Sequence, residues 1–543
     1  MAAVAAFVAG AIVGSSGGRA ERRVVTQYVQ AWSHGDYKGM YALLDPMSRA
    51  HTSESKFASE YRRAAETATL TKIALGRVGR NRNDVIGVAL RARTRLFGML
   101  PETLEVPIVS SGSKVSIRFT NALLFPGLRA GEHLTRKVTM APRAALLASD
   151  GTPLAKGPDR STPIPDVAGQ IAGIVGPIPA SSAASYAELG YPSDAKVGLD
   201  GLERIFQPQL AGTPGGELIA GKRILAVSVT KPGHDVHTTI SPTIERAAIA
   251  AIAGRYAGLT VMDPRNGRLL AVAGVGFSAL QPPGSTMKIV TATGALEAGI
   301  VKLSTPFADA GAAVIDGYTL HNANGEVCGG TFLNAFAVSC NSVFAPLGVK
   351  LGAQRLVDVA QRFGFNQSPS IPGAAESEIP SAKTIGSDLS VGSSAIGQGR
   401  VQASALEMTD VAATIAMGGR RPLPTLQTHQ KPRFVHVTTR RVARLVQQLM
   451  IAVVQFGTGT SVQIPGVQVA GKTGTAELRN TNPNPNDPNA DSPQNTDSWF
   501  VGYAPVGKPR VVVGALFPAQ GAGAATAAPA VHSVLEAALQ AHH

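Results

Sequence analysis

Cysteine, tryptophan and charged residues of either sign are scarce in this 543-residue chain. It has two cysteines and two tryptophans, with 5% aromatic and 16% charged residues. No apolar run after the N-terminus reaches the roughly 18 residues that a membrane-spanning helix needs, so we expect no span in the body of the chain. The length exceeds what one hydrophobic core usually holds, which predicts two to four domains.

The N-terminal residues 1–14 are apolar. They lack the basic start of a signal peptide and are short for a membrane span. They resemble the end of an export signal or membrane anchor, and we assign residues 1–18 to this segment. A buried N-terminal helix is the alternative, because an apolar run of this length is ambiguous.

The positive charge is large but dispersed along the chain. There are 50 Lys and Arg residues against 36 Asp and Glu, which gives a net charge of +14. No basic stripe is interleaved with aromatic residues and no nucleic-acid-binding module is recognisable, so we expect no nucleic-acid partner. A positive surface that faces an anionic polymer or a membrane fits this charge, and so does an ordinary solvated basic surface.

The first part of the chain has the pattern of a small α+β domain. Residues 21–50 show helical spacing that is interrupted at Gly35 and Pro46. Short alternating segments then follow to about residue 140 and predict strands of one curved sheet. We place this α+β domain at residues 21–138.

The rest of the chain divides into two further modules. Residues 141–240 are rich in Gly, Pro, Ser and Ala, with little periodicity, and predict an irregular linker or pedestal module. Residues 241–543 mix helical and strand segments without strict alternation. This mixture predicts an antiparallel sheet flanked by helices rather than a parallel, doubly wound sheet. The fold class is therefore α+β and multidomain.

A candidate nucleophile follows a Pro-Pro-Gly turn in QPPGSTMKIV, residues 281–290. Ser285 lies at the predicted start of an apolar helix, where backbone N–H groups and the helix dipole favour negative charge. Lys288 lies one turn further along on the same face, within reach of the serine hydroxyl. A lysine with a lowered pKa can accept the proton of a serine. Serine is also a favoured N-cap, so this pair alone leaves a structural role open.

Two later segments also carry polar groups that can serve catalysis. In AVSCNSVFA, the Ser339 hydroxyl can relay a proton and the Asn341 amide can hold a substrate amide, although both residue types are common caps. Residues 466–478, GVQVAGKTGTAEL, predict an edge strand. Its cation and hydroxyls suit a substrate carboxylate, and its glycine allows close approach to the backbone. A polar surface strand is the alternative. The residues concerned are Lys472, Thr473, Gly474 and Thr475.

In this order and spacing, the three patterns resemble the Ser-x-x-Lys, Ser-x-Asn and Lys-Thr-Gly motifs of penicillin-recognising serine acyl-transferases. Roughly residues 141–540 resemble a class B penicillin-binding protein, a monofunctional D,D-transpeptidase of peptidoglycan synthesis. The stretches AIGQGRVQASALEM and DSWFVGYAP support the resemblance. Residues 21–135 resemble the nuclear-transport-factor-like domain of the methicillin-resistance subgroup and its actinobacterial relatives. This resemblance implies a cone-like α+β fold for the N-terminal domain, for which a spacer role is favoured over small-molecule binding.

The resemblance implies a serine acyl-enzyme mechanism. Ser285 would attack the penultimate D-alanine of a stem peptide, Lys288 would accept its proton, and Ser339 would pass a proton to the leaving D-alanine. The backbone N–H groups of Ser285 and Thr475 would form the oxyanion hole. An amine from a neighbouring stem peptide would then resolve the acyl-enzyme, and β-lactams would acylate the same serine.

The resemblance also implies how substrate is bound. Asn341 would hold the peptide amide, Lys472 would complete the catalytic group, and Thr473 and Thr475, on either side of Gly474, would bind the terminal carboxylate together with Lys472. No metal and no organic cofactor is implied.

The implied partners are D-alanyl-D-alanine stem peptides, β-lactams, the cytoplasmic membrane through the N-terminal anchor, and a glycosyltransferase. The implied location is the outer face of the cell membrane. A D,D-carboxypeptidase or a β-lactamase that uses the same serine is an alternative, and a β-lactam sensor or wall-binding scaffold is an alternative of another class. Residues 479–495, rich in Asn and Pro, predict a mobile loop that gates acceptor access.

The two cysteines, Cys328 and Cys340, are close in sequence. An exported protein can pair such cysteines, whereas lone cysteines are usually small buried side chains. Their pairing is a hypothesis at this point.

Overall fold

The computed structural model describes residues 16–112, 114–478 and 493–541. Residues 1–15 of the predicted anchor and most of the predicted Asn- and Pro-rich loop lie outside this part. The chain forms two compact units. The first comprises the chain up to Ala144, Val175–Leu199 and Gln207–His234, and the second comprises Ala145–Ile174, Asp200–Phe206 and the chain from Asp235 onward. The predicted boundaries at 21–138, 141–240 and 241–543 stay predictions.

Four helices and a four-stranded sheet form the N-terminal part. The helices are α1 Ser16–Ser33, α2 Tyr37–Ala42, α3 Pro46–His51 and α4 Glu54–Ala68. The strands are β1 Leu70–Arg82, β2 Val85–Thr94, β3 Gly98–Ser111 and β4 Lys114–Ile117, in the antiparallel order β1-β2-β3-β4.

Local sequence explains where these helices begin and end. Gly35 has a φ of 72°, which separates α1 from α2 as predicted. Asp45 caps α3 by accepting a hydrogen bond from the Ser48 N–H at 2.9 Å, with Pro46 at the first helical position. The buried faces of the helices and the sheet share one core, in which Tyr28 and Tyr61 are hydrogen-bonded to each other.

The chain then passes through short elements, as the predicted irregular module implies. They are β5 Leu134–Thr139, β6 Leu146–Leu147, β7 Pro153–Ala155, α5 Pro165–Ile171, β8 Val175–Pro177, α6 Ala183–Glu188, β9 Lys196–Gly198, α7 Gly201–Ile205, α8 Gln207–Ala211, β10 Gly215–Ala220, β11 Arg223–Ser228 and β12 Val236–His237. Strand β10 pairs with both β11 and β5. Strand β5 is therefore separate from the β1–β4 sheet, whereas the sequence predicted one sheet up to about residue 140.

The C-terminal part holds the remaining elements. Its helices are α9 Pro242–Ile252, α10 Lys288–Glu297, α11 Phe332–Ala337, α12 Asn341–Leu351, α13 Ala353–Phe363, α14 Ala382–Ile385, α15 Asp388–Ala395, α16 Ala405–Ala416, α17 Arg440–Gln455 and α18 Ala527–Ala541. Its strands are β13 Gly258–Asp263, β14 Arg268–Gly274, β15 Pro306–Ala310, β16 Ala312–Ile315, β17 Tyr318–His321, β18 Cys328–Thr331, β19 Arg420–Pro422, β20 Phe434–His436, β21 Ala470–Glu477, β22 Thr496–Ala504 and β23 Val511–Phe517.

A five-stranded antiparallel sheet in the order β14-β13-β23-β22-β21 organises this part. Helices α9 and α18 pack on one face, where Ile244, Val531 and Leu535 are buried. Helix α16 lies on the other face, and the Thr260 and Thr409 hydroxyls are hydrogen-bonded there at 2.6 Å. Both faces of the central strands are therefore buried, which explains their continuous apolar sequences. The predicted α+β fold with a helix-flanked antiparallel sheet is confirmed.

The described residues contain no helix that is both long enough and apolar enough to cross a membrane.

Candidate active site

A tight turn carries Ser285 to the edge of the central sheet. Residues Gly284–Met287 form one 3-10 turn that leads into α10. The Gly284 N–H donates to the Gly397 carbonyl at 2.9 Å. A Cβ on Gly284, whose φ is 52°, would lie 2.6 Å from the Thr475 carbonyl oxygen, so only glycine fits here. The turn is thus held against both the Gly-Gln-Gly segment and β21.

The Ser285 hydroxyl neither caps the helix nor forms a hydrogen bond with Lys288, the two contacts that the sequence suggested. Pro283 precedes the turn as its cap residue, and no side-chain capping bond is present. In the described parts of the chain, no hydrogen bond reaches the Ser285 hydroxyl, and Lys288 is directed elsewhere. The N-cap interpretation is therefore wrong, although the serine does lie at the start of a helix. A hydroxyl without a competing partner is available to a substrate.

Lys288 joins α10 to the second motif. Its Nζ donates to the Ser339 carbonyl and the Asn341 Oδ1, both at 2.7 Å, and lies 3.2 Å from the Ser339 Oγ. The Asn341 Nδ2 donates to the His321 carbonyl at 3.0 Å, which orients the amide. Ser339 has a φ of 67°, a left-handed conformation that costs a residue with a side chain roughly 1–2 kcal/mol. Such strain often accompanies functional sites.

Lys472 also contacts the Ser339 hydroxyl. Strand β21 is the edge strand of the sheet, as predicted. From it, the Lys472 Nζ donates to the Ser339 Oγ at 2.8 Å and to the Thr473 carbonyl at 3.0 Å. The Ser339 hydroxyl therefore lies between two amines. The structure brings together Lys288, Ser339, Asn341 and Lys472.

Burial lowers the pKa of both lysines. Both side chains are fully buried. Burial lowers the pKa of Lys472 to about 7, because a charged amine loses hydration in the interior. Burial, followed by repulsion from Lys472, holds the pKa of Lys288 well below its usual value. The Nζ atoms of Lys288 and Lys472 lie 5.5 and 5.6 Å from the ring centres of Phe344 and Phe336, which favours whichever amine is charged.

The three residues that follow Lys472 point in different directions. The Thr473 hydroxyl is buried and lies 2.5 Å from the Thr458 hydroxyl, so it forms part of a structural contact. A Cβ on Gly474 would lie 2.8 Å from the Pro283 carbonyl, so this glycine allows β21 to approach the Ser285 turn. The Thr475 side chain is partly exposed and its hydroxyl accepts from the Gly523 N–H at 3.1 Å.

The two cysteines are joined by a disulfide in the structure. Cys340 lies between Ser339 and Asn341, and Cys328 begins β18. The bond therefore tethers the second motif to a neighbouring strand.

Sequence reasoning missed four contributors to this site. These are the Phe336 and Phe344 rings, the His321 carbonyl and the Thr458 hydroxyl. The two phenylalanines flank the second motif in sequence, so helical spacing offered a signal for them, whereas the His321 and Thr458 contacts depend on long-range packing. No group of three His, Cys, Asp or Glu side chains among the described residues could hold a metal ion.

The sequence of the chain matches three known domain families. Residues 257–536 match the family described as the penicillin-binding protein transpeptidase domain, residues 131–238 match the penicillin-binding protein dimerisation domain, and residues 20–132 match the NTF2-like N-terminal transpeptidase domain. The chain is 30% identical over 421 residues to the peptidoglycan D,D-transpeptidase PbpA of Mycolicibacterium smegmatis, covering 65% of this chain and 81% of that protein.

Two solved structures are similar as well. The D,D-transpeptidase domain of a peptidoglycan glycosyltransferase from Eggerthella lenta matches with a TM-score of 0.60 and 29% identity, covering 74% of this chain and 99% of that one. The penicillin G acyl-enzyme complex of penicillin-binding protein A from M. tuberculosis matches with a TM-score of 0.58 and 26% identity, covering 74% of this chain and 100% of that one.

Proposed function

Because the chain belongs to the penicillin-binding protein transpeptidase family, we propose that Ser285 is the nucleophile of its acyl transfer. The protein is a peptidoglycan D,D-transpeptidase that β-lactams acylate. The single observation that carries the assignment to these residues is the Ser339 hydroxyl held between the two buried amines Lys288 and Lys472, beside the Ser285 turn.

The hydrogen bonds around Ser339 define a path for the proton. A neutral Lys288 can donate to the carbonyls of Ser339 and Asn341 and accept from the Ser339 hydroxyl. That hydroxyl in turn accepts from a charged Lys472. Lys288 therefore accepts the proton of Ser285 once substrate draws the two together, since catalytic hydrogen bonds often tighten only in the complex. Ser339 then gives its hydroxyl proton to the nitrogen of the leaving D-alanine and takes up the proton held by Lys288, so that Lys288 is neutral again.

Backbone and side-chain donors around the serine complete the site. The Ser285 N–H makes no backbone hydrogen bond within the described residues, so it is free for an oxyanion, with the Thr475 N–H as second donor. Removal of one such donor raises the activation barrier by about 3 kcal/mol. Lys472 and Thr475 bind the substrate carboxylate. Thr473 joins them in binding the carboxylate when the Thr458 hydroxyl is the donor of their mutual hydrogen bond, because the proton of the Thr473 hydroxyl is then free.

We propose D-alanyl-D-alanine stem peptides as donors and an amine of a second stem peptide as acceptor. As a cell-wall enzyme, the protein acts outside the cytoplasm. We further propose that residues 1–18 anchor it to the outer face of the membrane, supported by the apolar sequence of residues 1–14. We also propose that a glycosyltransferase, which supplies the glycan strands, is its partner. The supporting experiment is co-purification from solubilised membranes.

A fluorescent penicillin chase tests the transpeptidase assignment against its alternatives. Labelling of the wild type that persists for many minutes, and is absent in Ser285→Ala, supports it. Rapid loss of label would indicate a β-lactamase. Release of D-alanine from a D-alanyl-D-alanine peptide without incorporation of an added D-amino acid acceptor would indicate a carboxypeptidase. A stable label without either reaction would indicate a sensor or scaffold.

A further inference from the structure

One hairpin of the N-terminal part carries a local excess of positive charge. Residues 70–95 contain seven basic residues and a single acidic residue, Asp84. We call the seven together the basic hairpin: Lys72, Arg77, Arg80, Arg82, Arg91, Arg93 and Arg95. The hairpin consists of β1 and β2 with the residue that follows β2.

The alternation of the strands turns these side chains outward. In β2, Leu90 and Ala92 are buried in the core whereas Arg91 and Arg93 are exposed, as a strand with one buried face requires. All seven side chains are exposed. Lys72 lies directly opposite Arg93 in the register. Lys72, Arg91 and Arg93 therefore share the face of the sheet that points away from the core, and the other four exposed cations lie along or next to the same two strands.

This surface is not neutralised by the protein itself. Among the described residues, none of the seven has an acidic partner within ion-pair distance. Like charges directly opposite each other in a sheet are destabilising, so the pair Lys72 and Arg93 carries an energetic cost. Glu105 of β3 lies opposite Gly87 on the same face but forms no ion pair with any of the seven cations, so an excess of positive charge remains. An anionic partner that binds the face would offset it.

One end of the hairpin lies beside the helix that follows the apolar N-terminal segment. The Asn81 Nδ2 donates to the Glu21 Oε1 at 3.0 Å, which places Arg80 and Arg82 next to the first turns of α1. Those turns add Arg22 and Arg23, and the apolar residues 1–14 precede them in the sequence. Basic residues next to a membrane segment are attracted to anionic headgroups.

We propose that the basic hairpin binds the anionic phospholipid surface of the membrane. The uncovered sheet face carries Met99, 52% exposed and paired with Arg93 in the register, as an apolar contact among the cations. An apolar segment that precedes this domain in the sequence, together with an exposed basic face on the domain, favours a membrane over a soluble polyanion. The contact would fix the orientation of this domain on the membrane.

Vesicle binding of the full-length chain tests the proposal. The variant Lys72→Glu/Arg91→Glu/Arg93→Glu reverses three charges of the face. The matched control Lys302→Glu/Lys431→Glu/Lys508→Glu reverses three exposed cations of the second compact unit. Wild type and both variants keep the apolar residues 1–15, which can bind either kind of vesicle. The measured quantity is therefore the ratio of the affinity for vesicles with about 30% phosphatidylglycerol to the affinity for vesicles of pure phosphatidylcholine, which isolates the effect of lipid charge. Stoichiometric labelling by fluorescent penicillin verifies that each variant is folded and tests the proposed catalytic function separately.

Each basic side chain near an anionic surface strengthens binding about fivefold. Loss of three cations alone should therefore lower the affinity ratio about 100-fold, so the charge-reversed hairpin variant should lower it by at least that factor, while the control keeps the ratio of the wild type. The ratio should also fall steeply with added salt. Equal binding of wild type to both kinds of vesicle, or equal loss in both variants, would overturn the proposal. Binding to soluble polyphosphate without preference for the anionic vesicles would also overturn it and assign the face to a soluble polyanion.

Discussion

Replacement of Lys472 by methionine should move the pH dependence of serine acylation. The Nζ atoms of Lys288 and Lys472 both contact the Ser339 Oγ, so they are at most about 6 Å apart. With an effective dielectric constant of about 20, two like charges at that distance repel by about 3 kcal/mol. This repulsion corresponds to about two pH units. Lys472 is therefore a substantial reason, after burial, why Lys288 loses its proton easily.

The direction of the change follows from the base role of Lys288. Acylation needs the neutral amine, so its rate falls below the pKa of Lys288. Without the neighbouring charge, that pKa rises, and the acidic limb of the rate profile should move upward by one to two pH units. The measurement is the saturating rate of penicillin acylation by stopped flow from pH 4 to pH 9.

A control separates this effect from weakened binding. Thr475→Val removes a hydroxyl from the proposed carboxylate site but keeps both lysines. It should lower the affinity for penicillin and leave the midpoint of the rate profile unchanged. A midpoint in Lys472→Met that stays within about 0.3 units of the wild type would refute the electrostatic reasoning.

Three further predictions concern the support of the site and the core. Thr458→Val removes the partner of the Thr473 hydroxyl, and we expect about 1 kcal/mol lower stability in urea unfolding and slower acylation, with Thr458→Ser close to wild type. Burial raises the pKa of Glu245 to about 7 from an unfolded value near 4.5, so the folded state binds this proton more tightly and stability falls as pH rises through that window. The difference in unfolding free energy between Glu245→Gln and the wild type should therefore shift by about 2–3 kcal/mol in favour of the variant from pH 5 to pH 8. Urea unfolding at both pH values measures this difference, and the same difference at both would contradict the prediction. The disulfide closes a short loop between Cys328 and Cys340, so the unfolded, unreduced protein should show no free thiol, and the double serine variant should lose about 3 kcal/mol.

The convergence of the motifs could be predicted from the sequence, but the direction of individual side chains could not. The resemblance carried by Ser285, Ser339 and Lys472 predicts that they meet, and the Lys288, Ser339 and Lys472 side chains do converge beside the Ser285 turn. The Thr473 side chain could not be placed, because its partner Thr458 lies in a loop that only the fold brings to β21.

The fold shows the same limit. Local patterns predicted the edge strand β21 and the sheet beside it, since turns and alternation are local signals. The pairing of β5 with β10 could not be predicted from the sequence. It joins segments about 80 residues apart, and the short alternating pattern of β5 fits either sheet.

The most direct test of the proposed mechanism is to locate the penicillin adduct. The protein is acylated with penicillin G, quenched, digested and analysed by tandem mass spectrometry, with Ser285→Ala as the paired sample. The proposed mechanism predicts one adduct per chain on the peptide that contains Ser285, and none in the variant. An adduct on Ser339 or on any other residue, or an equal adduct in Ser285→Ala, would contradict it.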